Sequence, residues 1–288
     1  MRTLLTILVF GLASSGIYAL MAVGVALIYG VGRIINFAHG AFYTLGAYFA
    51  YLYAVRLGVG WWIGAALAIL TVAGIAVAFD RLLVEPIRHR EIIVWIMTFA
   101  FAFAIRELII LTLGARPYSI PAFIPGSLTV LGQTIAAQRL LVVLASGLAL
   151  AALWGFLYRT RSGKGLRAVA LNPTGAHLVG IPVRRAHAAV MAISAGLAAL
   201  AGIVISPIAV VTPDMGLEPL LMAFTIVILG GIGSLKGSLV AALIVGYAGA
   251  LVSFLWAPEL VTFMALMVVF SVILVRPTGL FGLSVERA

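Results

Sequence analysis

Two polar side chains that can exchange hydrogen bonds stand close together in a stretch that is otherwise apolar. Asn36 and His39 lie within RIINFAHGAFY, residues 33–43, between two long apolar runs. An amide and a neutral imidazole both donate and accept hydrogen bonds, and neither carries a permanent charge. Such groups suit contact with a polar or zwitterionic solute inside a membrane, where a fixed charge is costly. They also suit the free backbone groups of an interrupted helix, and the sequence leaves both interpretations open.

A second interruption of an apolar run carries glycines instead of polar side chains. In FTIVILGGIGSLKGS, residues 224–238, Gly230, Gly231 and Gly233 separate two apolar segments. Glycine permits the tight reversal or close helix contact that such a break needs. Two interrupted elements in opposite halves of a membrane protein point toward a substrate path. We therefore predict that the translocation path contains residues of both stretches, namely Asn36, Phe37, His39, Gly40, Gly230, Gly231 and Gly233.

The longest basic loop has an internal pattern of its own. It reads RTRSGKGLRAVALNPTGAHLVGIPVRR and covers residues 159–185. Asn172 and Pro173 are typical of a helix start, and Gly180 is typical of a position just after a helix end. The pattern is compatible with a short helix that docks outside the membrane, and equally with a solvated basic loop.

Motifs for catalysis are missing from the sequence. The SGKG of the basic loop departs from a nucleotide-binding P-loop, because Tyr158 stands where the first glycine is required and Gly165 where Ser or Thr must follow the lysine. The absence of cysteine excludes thiolate metal sites and cysteine nucleophiles. The four histidines lie in separate loops without metal-ligand spacing, at His39, His89, His177 and His187. We therefore expect no enzyme activity, no resident cofactor and no metal site in this chain.

The amino-acid composition indicates the class of protein in which these residues lie. Of the 288 residues, 64% are hydrophobic and 9% are charged, whereas soluble domains are about 45–50% apolar and about 25% charged. Apolar runs long enough to cross a membrane recur along the chain, so the sequence predicts one polytopic transmembrane domain over residues 1–288. The net charge of +10 arises in short loops between spans, as the positive-inside bias predicts. Nucleic acid is therefore not expected as a partner.

Eight or nine apolar segments can be distinguished, and their length decides the fold class. They are too long for barrel strands, and backbone inside lipid must satisfy its own hydrogen bonds, so we predict an all-α fold. The basic loops 80–91 and 159–185 are expected on the cytoplasmic side, the second within a cytoplasmic loop at about 159–187. Broken or re-entrant elements are predicted near 31–55 and 229–238.

The number of crossings before residue 80 is ambiguous. Three apolar segments precede the first basic loop, and Arg2 also favours the cytoplasmic side. An odd number of crossings cannot return the chain to the side from which it started. Either the element at 31–55 fails to cross completely, or the N-terminal segment begins outside.

A charged pair lies within the fourth apolar segment. Arg106 and Glu107 follow its start by more than ten residues, where an isolated charge is expensive. Near the outer end of the segment they can pair with neighbours for structural reasons. They can also line the pathway, and both interpretations stay open at this point.

Five stretches together resemble the permease subunits of branched-chain amino acid ABC importers, specifically the H-type member of the H and M pair. They occur in the family's order and spread over nearly the full chain, and the NFAHG sequence favours the H-type. The stretches are GVGRIINFAHGAFYTLGAY (30–48), GKGLRAVALNPTGAHLVGI (163–181), VTPDMG (211–216), FTIVILGGIGSLKGS (224–238) and RPTGLFG (276–282).

The resemblance implies a multi-pass protein of the bacterial inner membrane with several partners. These are a second, M-type permease subunit, two cytoplasmic ATPase subunits that use the ATP, and a periplasmic substrate-binding protein. The basic loop is similar to the coupling helix that fits a groove of an ATPase subunit. Its matching residues are Arg167, Asn172, Pro173, Ala176, His177 and Gly180.

Two positions depart from the family's pattern and bear on the solute. Ala41 stands where the family commonly has an acidic residue, and Met222 where it often has lysine. Related permeases carry urea, short amides or other small solutes, so the resemblance implies branched-chain amino acids or a related small polar solute. The alternative is an ion-coupled secondary transporter, which we expect to show buried carboxylates within its spans. Glu107 is the acidic residue placed well inside a span by the sequence.

Overall fold

The computed structural model of the chain describes residues 2–130, 133–276 and 278–281. The described chain is dominated by α-helices, and long apolar sequences between glycine, proline and charged breaks explain where they begin and end. The helices are α1 Arg2–Gly32, α2 His39–Ala50, α3 Trp61–Phe79, α4 Glu91–Leu113, α5 Ala137–Arg159, α6 Arg161–Leu171, α7 Pro173–Leu178, α8 Val183–Ile205, α9 Leu217–Gly230, α10 Leu235–Leu255 and α11 Leu260–Val275.

Two helices continue beyond their regular part, and one small sheet interrupts the helical pattern. A π-helical turn at Tyr51–Arg56 extends α2, and irregular turns at Asp80–Val84 and Glu85–Ile87 extend α3. The strands β1 (Ser127–Val130) and β2 (Gln133–Ala136) form an antiparallel hairpin in which Ser127 pairs with Ala136. This hairpin was not predicted from the sequence.

The lengths of the helices fit a polytopic membrane protein. Six helical stretches are long and apolar enough to cross a bilayer, at Thr6–Gly32, Trp61–Ile87, Glu91–Leu113, Ala137–Arg159, Val183–Ile205 and Leu235–Leu255. The apolar helices α9 and α11 are shorter, with 14 and 16 residues. The prediction of an all-α polytopic membrane fold is confirmed, with the hairpin as its one addition in the described part.

Helix α1 lies at the centre of the bundle and packs most extensively against α10 and α8. Its contact with α10 depends on small residues, because a side chain on Gly246 would collide with Ser15. The Ser15 hydroxyl donates to the backbone carbonyl of Leu243 across the same contact, at 3.5 Å. Small residues at helix contacts are the usual means of close packing in lipid, where no hydrophobic force draws helices together.

Polar contacts show which chain segments share one end of the bundle. Arg88 Nη1 donates to the carbonyl of Gly32 at 3.3 Å, and Arg33 Nη2 donates to the carbonyl of Ala170 at 3.4 Å. The end of α1, the turn after α3 and the basic loop after α5 therefore meet at the same face. Since the basic loops lie here, this face is cytoplasmic by the positive-inside rule.

The opposite face is formed by the longer connections. Tyr118 and Val211 pair as an isolated antiparallel bridge, and the backbone N–H of Phe123 donates to Gln138 Oε1 at 3.1 Å. Tyr48, near the end of α2, packs its ring against Tyr118 with centroids 6.1 Å apart. The second apolar element therefore reaches the outer face.

These contacts resolve the crossing count before residue 80. The chain leaves α1 at the cytoplasmic face, passes through a non-helical stretch at 33–38, and returns outward in α2. Helix α3 then brings it back to the cytoplasmic face. The element at 31–55 is thus broken, as predicted, but it completes its crossing, and α1 begins on the outer side. The second predicted break is found between the end of α9 at Gly230 and the start of α10 at Leu235.

Candidate functional site

A cavity of about 260 Å³ opens between the start of α2, the middle of α4 and the start of α9. Its walls are mostly apolar and aromatic, and its charged residues lie together at one rim. Pockets that hold drug-sized ligands measure about 300–1,000 Å³, so this volume suits a single small solute. The lining residues used below are Phe37, Gly40, Ala41, Phe99, Arg106, Asp214 and Leu220.

The break at 33–38 places Phe37 between two walls of this cavity. Its backbone N–H donates to the hydroxyl of Thr98 on α4 at 3.2 Å. Its ring meets Phe99 of α4 edge-on with centroids 5.9 Å apart, and Phe224 of α9 at 5.4 Å. Phe37 therefore connects α4 to α9 through aromatic contacts on both sides.

Gly40 allows the third wall to approach. A Cβ atom at Gly40 would lie only 2.7 Å from the backbone oxygen of Gly216, at the start of α9. Because the obstructing atom belongs to the backbone, it cannot rotate away. Two of the sequence-predicted path residues, Phe37 and Gly40, thus line the cavity together with Ala41.

Asn36 and His39 point elsewhere. The Asn36 side chain is buried, accepts a hydrogen bond from the backbone N–H of Ala38 at 3.0 Å, and lies with Nδ2 3.4 Å from Met191 Sδ. It closes the turn that precedes α2. His39 is fully buried against Gly24 of α1, and neither ring nitrogen makes a well-aligned hydrogen bond within the described part of the chain. Both side chains lie outside the cavity lining.

The glycines of the second break lie at the cytoplasmic end of the bundle. Gly231 and Gly233 have positive φ angles of 99° and 83°, and Gly233 contacts Gly30 at the end of α1. The carbonyls of Leu229 and Gly230 accept hydrogen bonds from the backbone N–H groups of Leu280 and Phe281, at 2.9 and 3.0 Å, so these two residues cap the end of α9. These glycines shape a tight reversal and do not contact the cavity.

The charged rim of the cavity joins residues that are distant in sequence. Arg106 on α4 contacts Asp214 through two hydrogen bonds, Nε–Oδ1 at 2.5 Å and Nη2–Oδ2 at 3.2 Å, and it also pairs with Glu107. The sequence identified Arg106 and Glu107 as a pair but not Asp214. The available signal was the carboxylate of the VTPDMG stretch, which stands at a break between two apolar segments.

The basic loop forms two short helices on the cytoplasmic face. Asn172 caps α7, because its Oδ1 accepts from the backbone N–H of Gly175 at 2.9 Å, and Pro173 takes the first helical position. Gly180 ends the turn with a φ of +82°, and Ala176 is buried. The predicted short helix is therefore present, while its docking role stays a prediction.

The remaining residues of this loop divide into anchors and exposed groups. Arg167 fixes α6 to α5 by donating from Nε to the carbonyl of Leu157 at 3.1 Å and by stacking over the ring of Tyr158. His177 is exposed. Three large apolar side chains point to solvent here, and we call them the apolar patch: Leu171 (84% exposed), Leu178 (82%) and Val179 (76%).

The chain matches a known family along almost its whole length. A family described as "Branched-chain amino acid transport system / permease component" matches residues 7–274. The high-affinity branched-chain amino acid transport system permease protein LivH of Escherichia coli (strain K12) is 30% identical over 287 residues, with 94% of this chain and 93% of that protein covered. The corresponding permease protein BraD of Pseudomonas aeruginosa is 29% identical over 290 residues, covering 96% and 94%.

A solved structure supports the fold independently. PsaBC from Streptococcus pneumoniae, in complex with Fab, superimposes with a TM-score of 0.57 at 14% identity, covering 94% of this chain and 92% of that one. At this identity the similarity shows the fold alone. Together with the membrane-spanning helices, the sequence matches define a multi-pass inner-membrane transport component and not an enzyme. The chain belongs to the family of permease components of branched-chain amino acid transport systems.

Proposed function

We propose that this chain and a second, M-type permease subunit form the transmembrane path of an ABC importer for branched-chain amino acids or a related small polar solute. Permeases of this family work with separate ATPase subunits and a substrate-binding protein, so the chain is one part of a larger assembly. In this proposal a periplasmic protein delivers the solute to the outer face. Two cytoplasmic ATPase subunits bind and hydrolyse ATP, and the permease chain itself holds no cofactor.

The observation that carries the proposal is the apolar patch on the cytoplasmic face. Leu171, Leu178 and Val179 are exposed on a segment that is otherwise well fixed by the Asn172 cap and the Arg167 anchor. Several large apolar side chains that are exposed on one short segment outside the membrane region indicate a protein contact. A partner groove that covers them accounts for their exposure in the isolated chain.

Polar contacts give this surface a physical connection to the cavity. Arg33 joins the carbonyl of Ala170, next to the patch, to the break after α1. Arg33 is the one non-glycine residue with positive φ in the described part of the chain, at 54°. Strained backbone of this kind persists where surrounding structure fixes it. Four residues later, Phe37 enters the cavity wall, so a displacement of the loop can reach the path.

Ion-coupled secondary transport is less well supported. A proton- or ion-coupled mechanism commonly uses carboxylates inside the spans. Among the residues that the structure describes, Asp80 is the buried acidic side chain, and it is paired with Arg88 at the cytoplasmic end of α3. Glu107 and Asp214 are more than half exposed and both contact Arg106.

Reconstitution tests the proposal. The permease pair, the ATPase subunits and a panel of binding proteins are placed in proteoliposomes, and uptake of branched-chain amino acids, urea and short amides is measured with and without ATP. We expect uptake that requires ATP and one binding protein. Uptake driven by an ion gradient without ATPase subunits would support the secondary transporter instead.

A matched pair of variants tests the docking surface. Leu178→Glu places a charge in the apolar patch and is expected to prevent recovery of ATPase subunits with the permease. Leu128→Glu changes a leucine that is also exposed (51%) but lies on the outer hairpin, and it is expected to leave recovery unchanged. Equal recovery with both variants would contradict the assignment of the patch.

A further inference from the structure

The cavity between α2, α4 and α9 combines an apolar interior with charge of both signs at its rim. Phe37, Phe99 and Leu220 contribute apolar surface from three different elements. Arg106 and Asp214 are the charged members of the lining, and both belong to the same rim. A solute that fills this space therefore meets apolar walls along its body and a cation beside an anion at one end.

The rim pair is built so that it can open. The side chain of Arg106 is 35% exposed and that of Asp214 is 57% exposed. Ionisable groups at membrane depth face the bundle interior or a water-filled cavity, and an ion pair that opens onto water contributes little net stability, because water screens the attraction and both side chains lose freedom. A competing ligand can therefore separate the two groups at low cost.

Charge at this depth calls for a functional explanation. Arg106 precedes the outer end of α4 by seven residues, which corresponds to roughly 10 Å along a helix. Ionisable groups within membrane helices are rare and usually mark a path for solutes or ions. Helix α4 is also loosely held, since it has few contacts with the rest of the bundle apart from α2 and the turns after α3. Opening the rim pair therefore disturbs no large packed interface of α4.

We propose that Arg106 and Asp214 determine solute specificity in this cavity by exchanging their mutual ion pair for the two charges of a zwitterionic amino acid. Arg106 takes the carboxylate, for which its planar guanidinium has matching geometry. Asp214 takes the ammonium group. The apolar side chain of the solute then lies between Phe37, Phe99 and Leu220. One intramolecular ion pair is replaced by two intermolecular ones, so neither charge is left unpaired.

The charge balance at the rim predicts a ranking of solutes. Glu107 also contacts Arg106, so two carboxylates surround one guanidinium and the rim is net negative. A zwitterion satisfies both rim groups. A cationic amide derivative keeps only the contact with Asp214, and an anionic N-acetyl derivative keeps only the contact with Arg106 and is repelled by the net charge. We expect binding to weaken in that order.

This inference rests on the proposed function, and its experiment is separate from uptake. The purified complex of permease and ATPase subunits, without binding protein, is heated in the presence of leucine, leucinamide or N-acetylleucine at millimolar concentrations. Ligands that bind the folded state raise the unfolding temperature with concentration. The concentration dependence gives an apparent dissociation constant for each solute.

Two substitutions assign each solute group to its rim partner. Arg106→Gln is expected to weaken leucine about tenfold, as for loss of a charge-assisted hydrogen bond, but not to weaken leucinamide, because it removes the cation that competes for Asp214. Asp214→Asn is expected to weaken leucine and leucinamide by a similar factor but not to weaken N-acetylleucine, because it removes the carboxylate that competes for Arg106. Such pairing of residue and solute group is the logic of a double-mutant cycle. Arg116→Gln and Glu259→Gln change exposed charges outside the lining and serve as matched controls.

The reversed pair Arg106→Asp with Asp214→Arg distinguishes recognition from a mechanical latch. A latch needs only opposite charges and keeps wild-type behaviour after reversal. If the pair recognises the solute, the reversed charges force the carboxylate and ammonium groups of leucine to exchange places. The side chain of leucine then points away from the apolar walls, so leucine binding stays weak. Wild-type leucine binding in the reversed pair, equal effects in both single variants and their controls, or no response of the wild-type complex to leucine would each overturn the assignment. ATP-dependent uptake with the binding protein would still judge the proposed function by itself.

Discussion

Arg88 and Asp80 form a buried ion pair at the cytoplasmic end of α3, with Nη2 and Oδ1 2.7 Å apart. The Asp80 side chain is 1% exposed, so its charge depends on this partner. Arg88 also contacts Glu85 at 3.4 Å, and Glu85 reaches Arg184 of α8 at 3.0 Å. Together with the bond from Arg88 to the Gly32 carbonyl, these contacts hold the ends of α1, α3 and α8 together below the cavity.

Arg88→Ala is expected to lower the free energy of unfolding by about 3 kcal/mol, because it leaves the buried Asp80 charge unpaired. The double variant Asp80→Asn with Arg88→Met removes both charges and is expected to recover most of that loss. Arg81→Ala, on an exposed neighbour in the same turn, is expected to change stability by less than about 0.5 kcal/mol. Denaturant unfolding of the purified complex measures all three, and equal effects of Arg88→Ala and Arg81→Ala would contradict a structural role of the pair.

The sidedness of the bundle can be tested by chemical labelling. The chain contains no cysteine, so each introduced cysteine gives an unambiguous signal. A membrane-impermeant maleimide added to intact cells is expected to label Ser127→Cys and Arg116→Cys, and to label Lys164→Cys only after lysis. A reporter fused ahead of residue 1 is expected on the same side as Ser127, since α1 runs from the outer to the cytoplasmic face. Finding that reporter on the side of Lys164 would contradict the three crossings before residue 80.

Sequence reasoning located the two breaks because their signals are local. Glycines and polar residues that interrupt an apolar run are unfavourable inside a regular helix that faces lipid, so their presence indicates a break. The Asn172 cap and the positive φ of Gly180 were similarly visible, since each depends on its immediate neighbours. The outer start of α1 was one of two alternatives, and only long-range contacts such as Arg33 to Ala170 decided between them.

The cavity could not be predicted because its parts meet only through tertiary packing. Arg106 and Asp214 are separated by 108 residues, and no spacing rule relates them. Asn36 illustrates the same limit, because a local pattern cannot say whether the amide faces a cavity or turns inward toward Met191. The strands at 127–130 and 133–136 were hidden by their short length within an irregular outer connection.

The inward orientation of Asn36 gives a prediction that separates stability from transport. Asn36→Leu removes the acceptor for the Ala38 N–H and is expected to cost about 1–2 kcal/mol, as for loss of a helix cap or a buried hydrogen bond. Asn36→Ser keeps an oxygen near that N–H and is expected to retain most of the stability. Yield of intact complex and uptake rate per complex are measured side by side. A normal yield of Asn36→Leu with strongly reduced uptake would instead favour direct contact between Asn36 and the solute.

The close approach of α2 and α9 at Gly40 provides the sharpest test of the cavity geometry. Gly40→Ala introduces a Cβ 2.7 Å from the Gly216 backbone oxygen, so the starts of the two helices must move apart. Such overpacking costs about 1–3 kcal/mol, and it also displaces Phe37 and Leu220, which line the cavity on either side. We expect a several-fold loss of uptake per assembled complex.

Gly147→Ala adds the same methyl group to α5, where no atom lies within 4 Å, and is expected to be neutral or slightly stabilising because alanine favours a helix interior. Uptake by Gly40→Ala that matches Gly147→Ala would contradict passage of solute along this wall, since both variants add one methyl group and only the one at Gly40 crowds the cavity lining.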